Sequence, residues 1–174
     1  MNLADLPARS ADGHVHVLVE IPRGSRNKYE YNKEWGVIVL DRALYSAVHY
    51  PADYGFVPQT RSEDGELLDA LVLVEEPTFP GCLVEARPIG VLTIAHRSGL
   101  PEHKLLVVPV REPRFAEYTD LSDVPQHILA EIEHFFDVFK ELEGKDLQTR
   151  GWEGAEQAEA VLTAALTAGA ARDG

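Results

Sequence analysis

From Val15 to Ile21 the chain alternates: Val15, Val17, Val19 and Ile21 share one face, while His14, His16, Leu18 and Glu20 share the other. That period of two is the signature of a strand. Pro22, Arg23, Gly24 and Ser25 then interrupt it as a loop. Residues 28–31 and 36–41 read as a hairpin across 32–35. Residues 67–74 form a near-continuous apolar strand. Residues 83–95 are β-rich but carry Pro88 and Gly90, which predicts a bend or bulge at a barrel corner. Residues 104–110 form a further strand. The last third changes period. Ile128, Ile132, Phe135, Phe136, Phe139 and Leu142 recur at helical spacing. Ser122 and Asp123 are capping candidates, Pro125 sits near the start and Gly144 just past the end. An Ala-rich helix follows over 155–166. Five or six short strands and then two helices predict a mainly β protein with α, a closed β-barrel with the helices packed outside. No repeat or linker divides the chain, so residues 1–174 read as one domain with an N-terminal arm over 1–13 and a frayed tail over 168–174.

Composition narrows the function. The 174 residues are 45% hydrophobic and carry 16 Lys+Arg against 29 Asp+Glu, a formal net charge of −13. A surface that acidic repels phosphate backbones, which argues against a nucleic-acid partner. No apolar run approaches the roughly 20 residues that span a bilayer, and the N-terminus does not read as a secretory signal. Cys82 is the only cysteine. That excludes an internal disulfide and fits a reducing cytoplasm.

The informative residues are charges that interrupt the apolar pattern. Asp69 shares a strand face with Leu71 and Leu73, while Ala70, Val72 and Val74 fill the other, so both faces read as buried. An unpaired carboxylate there would cost several kcal/mol, which predicts a cation or metal beside it. Asp64, Glu66 and Asp69 lie within six residues around Gly65, and hard oxygen ligands at that density suit Mg²⁺ or Mn²⁺. Glu20 ends the first strand opposite its valines. Lys28 with Glu30, and Glu102 with Lys104, are pairs at spacing two. Arg42 follows a strand. Tyr50 and Tyr54 flank an aromatic-rich turn that offers two phenol hydroxyls. Lys140, on the flank of the helical stripe, reads as solvated. Acids beside Lys, Arg and Tyr at several strand ends point to a metal-bound polyanion, and phosphate needs both kinds of group. No G-x-x-x-x-G-K-[ST] loop, G-x-G-x-x-G turn or G-x-S-x-G elbow is present, which leaves metal-activated water as the natural nucleophile.

Taken in order, these residues resemble a known family. The run from Glu20 through Lys28 and Glu30 to Tyr31, Asp41-Arg42, Tyr50-Pro51-Ala52-Asp53-Tyr54-Gly55-Phe56, Asp64-Gly65-Glu66-Leu67-Leu68-Asp69, Arg87-Pro88-Ile89-Gly90, His134 with Lys140, and Gly151-Trp152 are similar to the soluble family I inorganic pyrophosphatases. The resemblance spans about residues 14–165. It implies an OB-like, five-stranded closed barrel with flanking helices, and hydrolysis of pyrophosphate to two phosphates with several Mg²⁺ ions. By matched position, Asp64, Asp69 and Glu102 form the tight metal site, Asp69 bridges toward a second metal, and Glu20 is a further metal-linked carboxylate. Glu66 stands where the family has its general base. Lys28, Arg42, Tyr54, Lys104 and Lys140 match phosphate-binding residues, and Glu30 and Tyr50 match supporting ones. A cytoplasmic homo-oligomer, a hexamer, is implied as well, with His134 and Phe135–Phe136 in the assembly region.

The chain departs from the family pattern at five places. Glu66 and Leu67 replace the second aspartate and the proline of D-G-D-P-x-D. His96 and Glu102 stand for two aspartates, and Phe139 for a phosphate-binding tyrosine. An imidazole at His96, if a ligand, suits Mn²⁺ or another transition metal better than Mg²⁺. These changes leave two alternatives beside pyrophosphate hydrolysis: a hydrolase of another diphosphate, and a weak or silent paralogue that binds phosphate or pyrophosphate.

Overall fold

A computed structural model describes residues 1–96 and 99–171. Eight strands and two α-helices follow in order: β1 (Val15–Ile21), β2 (Asn27–Asn32), β3 (Val37–Ala43), β4 (Asp53–Val57), β5 (Leu68–Val72), β6 (Leu83–His96), β7 (Glu102–Pro109), α1 (Gln126–Val138), β8 (Leu147–Gly154) and α2 (Ala155–Ala170). Strands β1-β4-β5-β7-β6 are joined in that order, and β6 pairs back onto β1, so five strands close a ring. All these pairings are antiparallel except β5 with β7. The closed five-stranded architecture is the one expected.

The ring is built from different strands than the pattern alone suggests. The hairpin β2–β3 forms as predicted but stands apart as a two-stranded sheet. Its place in the ring is taken by β4, whose residues read as a turn. The eighth strand, with no apolar alternation to announce it, extends the sheet from β6. The long β6 pairs with three strands, and its register shifts between Pro88 and Gly90, the predicted bulge.

Alternation on β5, β6 and β7 divides the core. Leu71 and Leu73, Leu92 and Ile94, and Leu106 and Val108 pack toward α1, against Leu129, Ile132, Phe135, Phe136 and Phe139. Ala70 and Val72, Val91, and Leu105 and Val107 pack toward α2, against Ala158, Leu162 and Ala165. Both faces of β5 are thus covered, as its composition requires. Burial of this apolar surface, at about 25 cal/mol per Å², is the main stabilising term.

The helices differ from expectation at their ends. Asp123 joins Asp120 in a capping box on a separate 3₁₀ turn, Leu121–Asp123, and α1 starts from Pro125 with no side-chain cap. α1 stops at Val138. Leu142 therefore leaves the stripe and is exposed, and Gly144, at φ 75°, closes a second 3₁₀ turn, Glu141–Glu143. Phe135 and Phe136 are both buried in the core, so they present no face to a partner; His134 is exposed. α2 runs through Ala170, four residues past its expected end, and takes in residues 168–170 of the supposed frayed tail, with Ala171 as its C-cap; residues 172–174 lie outside the described residues.

Candidate active site

The α1-side face of the ring changes character at one end. Going outward, Leu73 and Leu71 give way to Asp69 on β5, and Val108 and Leu106 give way to Lys104 and then Glu102 on β7. Because β5 and β7 are parallel and Asp69 is in register with Lys104, the acid and the ammonium meet side by side. Lys104 Nζ donates to Asp69 Oδ2 at 2.5 Å and to the Tyr54 hydroxyl at 2.9 Å, and lies 3.1 Å from Glu102 Oε2. The cation predicted beside Asp69 is this lysine. Burial alone would depress the Lys104 ammonium, but Asp69 and Glu102 outweigh it and raise it above its ordinary value. Burial, with Asp69 close by, likewise holds the Tyr54 phenol well above its usual range, so it stays protonated.

A cleft of about 250 Å³ opens on this end of the ring. Its lining brings together Glu20 from β1, Lys28 and Glu30 from β2, Tyr54 from β4, Asp64 and Glu66 from the loop before β5, Asp69, Glu102, Lys104, and Lys140 from just past α1. Ten of the thirteen candidates therefore converge. Lys140, expected to be solvated, lies where α1 has already ended and its ammonium sits 5.1 Å from the Phe139 ring. Burial, and then Lys28, Lys145 and Lys104, lower it from its ordinary value. A larger cavity, about 680 Å³, lies beside the cleft against α2 and is lined by one carboxylate, Asp5.

The other three candidates stand behind the cleft. Tyr50 is 1% exposed, packs against Phe135 with the rings tilted and their centroids 4.7 Å apart, and lines a narrow pocket with Lys28, Tyr54 and Lys140. Arg42 is held by Asp41 and by an ion pair at 2.7 Å from Nε to Glu143 Oε1. His96 lines a separate pocket with Asp146 and Arg150 and reaches the cleft through Glu102, with Nε2 2.5 Å from Oε1. Burial pushes the Glu102 carboxyl up, but Lys104 and His96 outweigh it and hold it below the usual carboxylate range.

Some participants were not singled out from the sequence. Lys33, in the hairpin turn, lines the cleft and lies 3.8 Å from Glu66. Asp41 takes Lys28 at 3.1 Å as well as Arg42. Nothing in local sequence marks Lys33 or Glu143, because the chain brings them in from a turn and a 3₁₀ segment. Tyr31 N donates to Glu20 Oε1 at 2.8 Å.

Carboxylates crowd this cleft. Burial, countered by the Tyr31 amide and reinforced by Asp69 and Glu30, pushes the Glu20 carboxyl up to about 7. A group of hard oxygen donors in which Glu20 resists its charge, and in which an ammonium is wedged between Asp69 and Glu102, has the chemistry of a divalent-cation site. The residues present therefore fit hard divalent cations.

A five-stranded ring carrying clustered carboxylates, four lysines and a buried phenol in one cleft defines a protein built to handle a metal-bound polyanion. The family described as Inorganic pyrophosphatase matches residues 17–169. An inorganic pyrophosphatase of Nostoc sp. is 45% identical over 97% of this chain and 99% of that protein. One of Methanosarcina acetivorans is 51% identical over 84% of this chain and 86% of that protein. The solved structure of the Thermus thermophilus inorganic pyrophosphatase superimposes with a TM-score of 0.93 at 39% identity, covering 97% of this chain and 99% of that one. That of Helicobacter pylori gives 0.89 at 39% identity, covering 94% and 98%. The chain belongs to the inorganic pyrophosphatase family, and its ring is the OB-like fold of that family.

Proposed function

We propose that this protein hydrolyses inorganic pyrophosphate to two phosphates, with Mg²⁺ as its working cofactor and Mn²⁺ as a substitute. The observation that carries the reading is the Asp69–Lys104–Tyr54–Glu102 arrangement, which puts metal-type ligands and phosphate-type ligands in contact at one end of the ring. Asp64, Asp69, Glu102 and Glu20 are the residues that would hold the divalent cations. When bound, such cations neutralise the diphosphate and acidify an attacking water.

The chain's own groups supply the rest. Lys28, Lys104 and Lys140 draw a tetra-anionic substrate into an otherwise acidic protein, and Arg42 completes the clamp from behind Lys28 across the β2–β3 pair. Tyr54, kept protonated, can only donate to a phosphate oxygen. Glu66 is exposed on a turn tied by its own amide to Asp64 Oδ1 at 3.0 Å, a placement suited to taking the proton of the attacking water. Glu30 and Tyr50 position Lys28 and Tyr54. In this reading His96 orients Glu102. The lone Cys82 and the absence, among the described residues, of a helix able to cross a membrane are in keeping with a cytoplasmic setting, and the exposed Trp35, Tyr45 and Phe79 with a homo-oligomer, a hexamer by resemblance.

The test is phosphate release from pyrophosphate with Mg²⁺, with Mn²⁺ and after chelation. Release with either ion and none after chelation is expected. Binding of pyrophosphate by calorimetry without release under any of these conditions would replace the enzyme with a silent binder.

A further inference from the structure

Among the described residues, a second group of ligand-type side chains gathers outside the cleft. Asp12, His14 and Glu85 bring one carboxylate oxygen, one imidazole nitrogen and a second carboxylate oxygen to within 4.8 Å of one another. They come from three parts of the fold: the N-terminal arm, the residue just before β1, and β6. Gly13, at φ 85°, makes the turn that sets Asp12 and His14 on one side. β6 brings Glu85 opposite His16 in the β1–β6 ladder. His14 lies six residues before Glu20 on β1, about 20 Å at strand rise, so the cluster sits at the far end of the ring from the cleft.

We propose that Asp12, His14 and Glu85 form a second, peripheral metal site, selective for a divalent transition ion of the Zn²⁺ type. His14 Nδ1 lies 3.0 Å from Glu85 Oε1. Ligands on a tetrahedral ion with bonds of about 2.0–2.1 Å stand roughly 3.3 Å apart, so this pair is already at coordinating separation. Asp12 is exposed, and its carboxylate lies within 4.8 Å of both.

The donor set decides the ion. One imidazole with two carboxylates favours Zn²⁺ over Mg²⁺, whereas the all-oxygen cleft favours Mg²⁺. The two sites therefore sort the two ions. An ion here would tie the arm to β1 and β6; the arm is otherwise held by the Arg9–Val15 bridge, the Ser10 and His16 amides, and the Arg9–Glu159 ion pair to α2. The role is to fasten the N-terminus of the ring, independent of the cleft's chemistry.

The experiment uses the full-length chain, millimolar Mg²⁺ to fill the cleft, and Zn²⁺ competed against a chromogenic chelator. The wild type is expected to retain one Zn²⁺ per chain more than either His14→Ala or Glu85→Gln. Its Tm should rise with Zn²⁺ while theirs do not. His14→Gln, which keeps a polar side chain on the surface, guards against a folding defect. All three variants should keep wild-type hydrolysis of pyrophosphate in Mg²⁺ without Zn²⁺. Equal Zn²⁺ retention in wild type and variants overturns the proposal, as does loss of the ion in His96→Ala with retention in His14→Ala, which would move the transition-metal site to the cleft.

Discussion

Lys104 and Asp69 face each other across the single parallel pairing of the ring, in direct register and 2.5 Å apart. The side chain of Lys104 is 7% exposed, whereas those of Asp69 and Glu102 are about 30% exposed. The lysine is thus the interior member of the group, and both carboxylates turn their open sides to the cleft. This one contact places a buried ammonium behind two partly exposed carboxylates.

Lys104→Met leaves two neighbouring carboxylates without their cation. Removing one partner of a fully buried pair costs about 3–5 kcal/mol, and the partial exposure of the acids puts this case at or below the lower end. Urea unfolding is expected to show a loss of about 2–3 kcal/mol, and kcat to fall by roughly 10²–10³ because a preorganised cation is gone. A variant with full stability and turnover would show that the contact is ornamental.

Glu20 makes stability depend on pH in a stated direction. Its folded value is about 7 against 4.5 in an exposed chain. Between these values the folded state holds a proton that the unfolded state has released, so stability falls as pH rises from 4.5 to 7 and levels off above. In metal-free buffer Glu20→Gln should flatten that slope and unfold less readily than wild type at pH 8. An unchanged slope would assign the dependence elsewhere.

His96 touches Glu102 and lines a different pocket. Acting through that carboxylate, His96→Ala should lower turnover by a similar factor with Mg²⁺ and with Mn²⁺. Steady-state kinetics with each ion decide it. A loss confined to Mn²⁺ would instead make the imidazole a direct ligand.

Gly55 tests the fold. A Cβ there would lie 1.9 Å from the Leu18 carbonyl oxygen on β1, far inside contact, and that atom is backbone that cannot turn away. Gly55→Ala must push β4 off β1, beside Tyr54. A loss of more than about 4 kcal/mol is expected by chemical denaturation, in the exceptional class of single substitutions.

The same glycine explains what the sequence hides. Pro51 and Gly55 look like turn residues, so β4 reads as a loop, yet Gly55 is there because two backbones approach too closely for a side chain. The strand β8 is hidden for a related reason: Gln148, Arg150, Gly151, Glu153 and Gly154 give no alternation, and only pairing with β6 makes it a strand. The two-sided burial of β5, the bulge at Pro88 and the apolar face of α1 were legible, because each is a local pattern with one cheap structural solution. The site was legible to the extent that a charge interrupted such a pattern, as at Asp69. Lys33 and Glu143 interrupt nothing, and their roles exist only in three dimensions.

On the proposed mechanism, the cleft acids hold divalent ions where pyrophosphate is cleaved. Crystals grown with Mn²⁺ and a non-hydrolysable diphosphate, measured at the manganese edge, test this directly. Anomalous density against Asp64, Asp69 and Glu102, with diphosphate oxygens on Lys28 and Lys140, is the predicted result. Density absent from those three carboxylates in protein that still turns over would contradict it.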